Sequence, residues 1–251
     1  VFEVSYDVLA ILVCTAFAAG FVDAIAGGGG LICLPVMLMV GATPVEAIST
    51  NKLQASFGAA TAAHSYARAG HVDLWSQRWP AAVSFVASAC GAVLVTTLPT
   101  DGVRAFLPWL LIAIASFFAL RPGLNDIDRA PRMSASVFML TAVPIIGFYD
   151  GLLGPGTGSF FMLSLVFLAG QGILKATAHT KALNLASNLG GLALFSLVGQ
   201  IWWATGLVMA LAQIGGARLG ARLAMRKGAR LIKPLLVVVS LLLAGRLLIS
   251  G

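Results

Sequence analysis

Charge is what this sequence has least of. Only 10% of its 251 residues are Asp, Glu, Lys or Arg, whereas an ordinary soluble domain carries about a quarter. Cysteine is nearly as scarce: Cys14, Cys33 and Cys90 all sit in apolar runs, with no CxxC spacing and no histidine partner. That excludes a disulfide framework and a zinc site, so no metal or cofactor is expected. Polar connections are short except for one stretch over residues 121–132. No cleavable signal is evident at the start of the sequence.

What remains is apolar residues, 59% of the chain at a mean hydropathy of +0.95, the composition of a polytopic all-α membrane protein. The formal net charge of +7 comes mostly from basic connections. It reads as orientation in, and contact with, a bilayer bearing anionic headgroups, and needs no nucleic acid partner. Trp75, Trp79, Trp202 and Trp203 lie near segment ends and suit interfacial anchoring.

Two acids break the pattern, because Asp23 and Asp150 lie well inside apolar runs while the other seven sit at ends or in connections. Each belongs to the same kind of motif. Gly20-Phe21-Val22-Asp23 is followed by the glycines at 27, 28, 29 and 30, and Gly147-Phe148-Tyr149-Asp150 by Gly154-Pro155-Gly156-Thr157-Gly158-Ser159. Glycine weakens a helix and proline removes a donor, so each motif predicts an interrupted helix with bare backbone N–H groups. At membrane depth these are tolerated only inside protein or along a cavity.

The duplication extends along the chain. Displaced by 129 residues, Gly41 falls on Gly170, Lys52 on Lys181, Gly70 on Gly199 and Gly91 on Gly220; displaced by 126, Gly102-Val103-Arg104 falls on Gly228-Ala229-Arg230 and Pro108 on Pro234. The sequence therefore divides into a first transmembrane repeat over 1–124, a central cytoplasmic linker over 125–133 and a second repeat over 134–251. Apolar segments are expected over about 8–26, 31–40, 44–66, 79–98 and 103–120, then 136–153, 159–169, 173–198, 203–225 and 231–249.

Basic residues orient the repeats. In the first, the connection after the third segment holds Arg68, His71 and Arg78; its counterpart around Gly199-Gln200-Ile201-Trp202 is uncharged, and the next one carries Arg218, Arg222, Arg226, Lys227, Arg230 and Lys233. Equivalent connections thus face opposite sides, which makes the repeats inverted, with both ends of the sequence outside and the linker inside. Each repeat must then cross an odd number of times. The short segments over 31–40 and 159–169 reach only about 15 Å, half the hydrocarbon core, so each repeat is expected to be a glycine-broken helix or re-entrant hairpin plus three transmembrane helices. Counting each broken pair as one crossing gives the alternative of about eight spans and parallel repeats.

Candidate chemistry gathers at the breaks and at two lysines. Each break opens a new helix, near Leu31 and near Ser159, and helix N-termini attract oxyanions. Gly28, Gly29 and Gly30 with Gly156, Thr157, Gly158 and Ser159 are the expected cradle; close helix packing is the other use of such glycines. Asn51, Lys52 and Gln54, and His179, Thr180, Lys181 and Asn184, place a lysine among amides and hydroxyls inside an apolar segment, where a cation must snorkel, pair or face a wet cavity. For Asp23 and Asp150 two roles stay open: ion pairs with the lysines, or proton coupling. His179 is read either as a titrating group beside the site or as a packed, hydrogen-bonded histidine.

These linked motifs, from Gly20 to Ile32, Thr50-Asn51-Lys52-Leu53-Gln54, Gly147 to Ser159 and His179-Thr180-Lys181, resemble the TauE/SafE sulfite and sulfonate exporter family of bacterial inner-membrane proteins over nearly the whole chain. The resemblance implies a multi-pass transporter of small sulfur-containing anions such as sulfite, thiosulfate or organosulfonates. Substrate identity, direction, proton stoichiometry and oligomeric state stay open. Two alternatives use the same residues: a passive anion channel, and an intramembrane aspartyl protease built on Asp23 and Asp150. The protease reading lacks the expected Gly-x-Gly-Asp run.

Overall fold

The computed structural model describes residues 3–97, 126–198, 201–228 and 231. The segments expected over 103–120 and beyond residue 231, and the linker before Asp126, lie outside the described residues. Among those described, every regular element is helical: α1 (Tyr6–Ala26), α2 (Gly29–Met39), α3 (Pro44–Arg68), α4 (Arg78–Thr97), α5 (Ala135–Leu140), α6 (Ala142–Leu152), α7 (Thr157–Phe167), α8 (Ile173–Val198) and α9 (Trp203–Lys227).

Among the described residues, four stretches are long and apolar enough to cross a membrane: α1, α4, α5 with α6, and α8. Their outward faces are apolar, with Ile11, Val86, Val93 and Ile145 exposed, as a hydrocarbon surrounding requires. By length α3 and α9 would also span, but α3 buries Ser49, Thr50, Asn51, Lys52, Gln54 and Ser56. Its polarity faces protein.

One expected segment, 136–153, is split at Thr141, whose φ of −120° and ψ of −70° leave the helix. Pro144 is the cause: it lacks an N–H and its ring crowds the carbonyl four residues back, at Leu140.

α2 doubles back along α1. Gly29 packs on Ala19 and Asp23, and Leu12, Ala16 and Ala19 share one buried cluster with Leu31, Leu34 and Met37. At 11 residues, α2 is about 16 Å long and runs back toward the start of α1, where Val4 and Val8 pack on the same cluster as Val40 and Val45. The second break repeats the manoeuvre: the N–H groups of Arg132 and Met133, just ahead of α5, reach the Leu168 carbonyl at the end of α7.

Glycines bring helix backbones into contact. Gly216 and Gly220 of α9 lie on Phe17 and Phe21 of α1, while Gly147 and Gly151 of α6 lie on Ser84 and Ser88 of α4. In both pairs the numbers rise together, so the helices run parallel. A methyl group at Gly151 or Gly216 would collide with a facing carbonyl, as small-residue packing in membranes implies. α3 and α8 run antiparallel: the Lys52 stem lies on Gly191, while Ala62 and Tyr66 share a cluster with Ile173 and Ala176.

These contacts define two ends. One gathers the linker, the end of α7, the start of α8 and the end of α9, where Gly228 lies on Asp126. At the other, Glu3 accepts hydrogen bonds from Ala204 and Thr205, and the Thr50 hydroxyl accepts from the Trp202 N–H. Arg68, Arg78, Arg129, Arg132, Lys175, Arg226 and Lys227 all lie at the linker end; the opposite end has Glu3, Asp7 and Glu46, and no Lys or Arg among the described residues. At the basic end the Arg78 guanidinium sits 4.9 Å above the exposed Trp75 ring, as an interfacial anchor does.

Candidate functional site

The helix starts fall two residues earlier than expected, at Gly29 and Thr157. Gly28 (φ 93°) and Gly156 (φ 80°) cap them in the left-handed region, where a side chain would be strained. Beyond conformation, Gly27 is pressed against Gly158 and Ser159, so any Cβ there would collide with backbone. The Ser159 hydroxyl donates to the Ala26 carbonyl at 2.9 Å. The two breaks are therefore in direct contact, and the N-termini of α2 and α7 converge.

Between them is a cavity of about 20 Å³, room for about one water molecule. Its wall takes Asp23, Gly28, Gly29 and Gly30 from the first break, Asp150, Gly154, Gly156, Thr157 and Gly158 from the second, Asn51 and Ala55 from α3, Asn184 and Asn188 from α8 and Gln213 from α9.

The lysines stand behind this wall, each bonded across to the acid of the other motif. Lys181 Nζ is 3.1 Å from Asp23 Oδ2 and also donates to the Asp23 main-chain carbonyl; the other oxygen of Asp23 accepts the Gly29 N–H at 3.3 Å. Lys52 Nζ is 2.6 Å from Asp150 Oδ1. Both lysines lie eight residues past the first residue of their helices, Pro44 and Ile173, so the same register brings each to the opposite break. Lys52, Lys181 and Asp150 are buried, and Asp23 is partly buried, with 14% of its side chain accessible. Two cations and two anions cancel. The pull on an anion must come from helix N-termini and amides, or from a lysine released by its acid.

Of the other expected residues, Gln54 donates to Asn51 Oδ1 at 3.1 Å and so orients a wall amide. Thr180 is buried with its hydroxyl unpartnered among the described residues and is not part of the wall. His179 is elsewhere: its Nδ1 lies 2.8 Å from Gln171 Oε1, and it lines a separate cavity of about 300 Å³ with Gln77, Pro131 and Met133. Two residues before Lys181, it is turned about 200° around the helix from it.

Four wall residues were missed, the first being Gly154, which stands in the second glycine motif but outside the expected cradle. Asn188 follows Asn184 by one helical turn and donates to its carbonyl at 2.7 Å, a spacing visible in the sequence. Gln213 was legible only as a lone amide in an apolar run; it fits because Gly20 and Gly58 leave space for it. Ala55 carried no signal.

Broken helices meeting on a buried polar cavity, inside a bundle with apolar outer faces, define a polytopic membrane protein. Residues 12–247 match the sulfite exporter TauE/SafE family, and the chain belongs to that family as a membrane transporter. It is 53% identical over 246 residues, covering 98% of this chain and 94% of the relative, to the probable membrane transporter protein ORF9 of a Sinorhizobium species. Identity is 46% over 247 residues, 98% and 92% of the two chains, to the probable membrane transporter protein YfcA of Escherichia coli K12. A probable membrane transporter protein of Haemophilus influenzae is 44% identical over 245 residues, 98% and 96% of the two chains. No solved structure matches.

Proposed function

We propose that the chain moves small sulfur-containing anions such as sulfite, thiosulfate or organosulfonates across the bacterial inner membrane by alternating access, with the anion held between the two breaks. The observation carrying this reading is the convergence of two glycine-capped helix N-termini on one buried polar cavity, with a lysine behind each break. Unpaired N–H donors, amides and a modest positive potential are what a small oxyanion needs. The cavity is too small for sulfite as it stands, so the breaks must part to admit it. An open passive channel fits this constriction poorly.

The same reading makes the two halves inverted repeats related by a two-fold axis in the membrane plane. Its support is the matching of Lys52 with Lys181 in sequence, the antiparallel course of the helices that carry them, and the exchange of α1 on α9 for α6 on α4. The basic end then faces the cytoplasm and its anionic headgroups. An aspartyl protease would need Asp23 and Asp150 to share a proton; each is instead engaged by a lysine.

Purified protein in detergent should be stabilised selectively by one member of a panel of sulfite, thiosulfate, sulfate, sulfoacetate, taurine and chloride, followed by thermal shift and calorimetry. Asn51→Ala and Asn184→Ala should weaken that effect. Silence across the panel, or full response in both variants, would refute the site.

A further inference from the structure

The two ion pairs occupy equivalent places but are not equally satisfied. Both oxygens of Asp23 are used, one by the Gly29 N–H and one by Lys181, which also holds the Asp23 main-chain carbonyl. The acid thereby ties the turn of the first break to α8. Asp150 has only Lys52 on Oδ1; its Oδ2 is buried, 2% of the side chain being accessible, and has no hydrogen-bond partner among the described residues. Lys52 Nζ has no further partner there either. A buried carboxylate with one oxygen unsatisfied, on a cavity wall, is an unfavourable resting place for a full negative charge.

We propose that Asp150 is the proton-binding group of the transporter and Lys52 the cation it releases to the anion, whereas Asp23 and Lys181 form a permanent structural clasp. The proposal rests on the anion-transport reading above and adds to it the coupling residue. With Asp150 ionised the cavity is electrically balanced, and a bare anion entering it would add uncompensated charge in a low-dielectric interior. A proton taken up on Oδ2 from the accessible side neutralises the carboxyl and frees the ammonium group of Lys52 for the anion. Proton and anion enter together, leave together on the other side, and Asp150 returns to Lys52; no bond other than O–H is made or broken.

Few charged groups surround Asp150. Lys52 approaches it from α3; Asp23 of α1 and Lys181 of α8 neutralise each other; α4 offers the neutral Ser88, and α9 the neutral Gln213. On its own helix, the Tyr149 hydroxyl is committed to the Pro155 carbonyl. Nothing else in the wall ionises.

The test uses full-length protein in liposomes with a trapped pH-sensitive dye and an imposed gradient of thiosulfate or methanesulfonate, anions that do not themselves bind protons near neutrality. Wild-type protein should acidify the compartment that receives the anion. Its net flux should fall as pH rises, approaching about ten-fold per pH unit on the alkaline side of a single-proton titration. Asp150→Asn, a neutral mimic of the protonated acid, should move no protons with the anion, and its residual anion-for-anion exchange should not respond to pH. Wild-type flux of either anion without proton movement, or proton movement in Asp150→Asn, overturns the coupling and leaves transport standing. Absence of any anion flux in wild-type protein overturns the transport reading and the coupling with it. A measurement on unmutated protein guards against misfolding of the variant: dicyclohexylcarbodiimide, which attacks protonated carboxyls in apolar surroundings, should label Asp150 and spare Asp23 by mass spectrometry. Equal labelling, or labelling of Asp23 alone, would refute the division of roles.

Discussion

The Asp23–Lys181 clasp makes a quantitative claim on stability. Lys181 is fully buried and Asp23 only 14% accessible, so removing either partner strands a charge of opposite sign inside the bundle. Breaking a buried pair in this way costs about 3–5 kcal/mol. Asp23→Ala should fall at the upper end, because it leaves an ammonium group with little more than a main-chain carbonyl. Lys181→Met should fall lower, because the stranded carboxylate keeps the Gly29 N–H. For a chain of this size, with about 2–4 °C lost per kcal/mol, each single variant should lose roughly 6–20 °C in apparent midpoint. The double variant Asp23→Ala/Lys181→Met removes both charges and should be no less stable than Asp23→Ala alone, a strongly non-additive cycle. Fluorescence-detected gel filtration after stepwise heating in one detergent reads all four proteins. If the two single losses add in the double variant, the side chains are not coupled and the clasp is wrong.

Gly27→Ala should abolish or severely reduce folded yield in the same assay, since a Cβ there meets the backbone of Gly158 and Ser159 and the residue needs φ near 77°; near-normal yield would mean that the breaks do not touch. At the basic end, the Gly172 N–H, followed by Lys175, holds the Asp128 carboxyl below the ordinary carboxylate range. A depressed carboxylate contributes stability that is present above its unfolded pKa and lost as pH falls through the folded one. Asp128 is exposed, so the effect is small: Asp128→Asn should lower the midpoint slightly at pH 7 and converge with wild type in acid, and a gap that widens in acid would contradict the pairing. In a cysteine-free background, Ser76→Cys should react with impermeant maleimide only from the cytoplasmic side and Thr43→Cys only from the opposite side; the reverse pattern would invert the orientation.

The helix boundaries were readable because each is marked by local chemistry. Thr43, Pro44 and Glu46 form a reciprocal cap at the start of α3, and left-handed glycines stop or start helices at 27, 28, 154 and 156. Where a boundary was missed, at Thr141, the signal was present in Pro144 but masked by unbroken hydropathy. The glycine and lysine motifs together marked ten of the wall residues in advance. His179 was misplaced because adjacency in sequence is not adjacency on a helix: one residue of α8 faces the cavity side and another, two positions earlier, the linker.

Composition, the doubled motif and the basic connections are properties of the chain read in one dimension. They suffice for a helical membrane protein with two broken helices, because hydropathy and backbone conformation act locally. The sequence supplied two acids and two lysines but left their roles and partners open. Only the fold crosses them, Asp23 to Lys181 and Lys52 to Asp150, because antiparallel α3 and α8 carry each lysine to the opposite break. Only the fold, too, makes the pairs unequal, by setting the Gly29 N–H beside one carboxylate and nothing beside the free oxygen of the other. Charge and hydrogen-bond satisfaction depend on distances through space, and those are decided when helices far apart in sequence pack together.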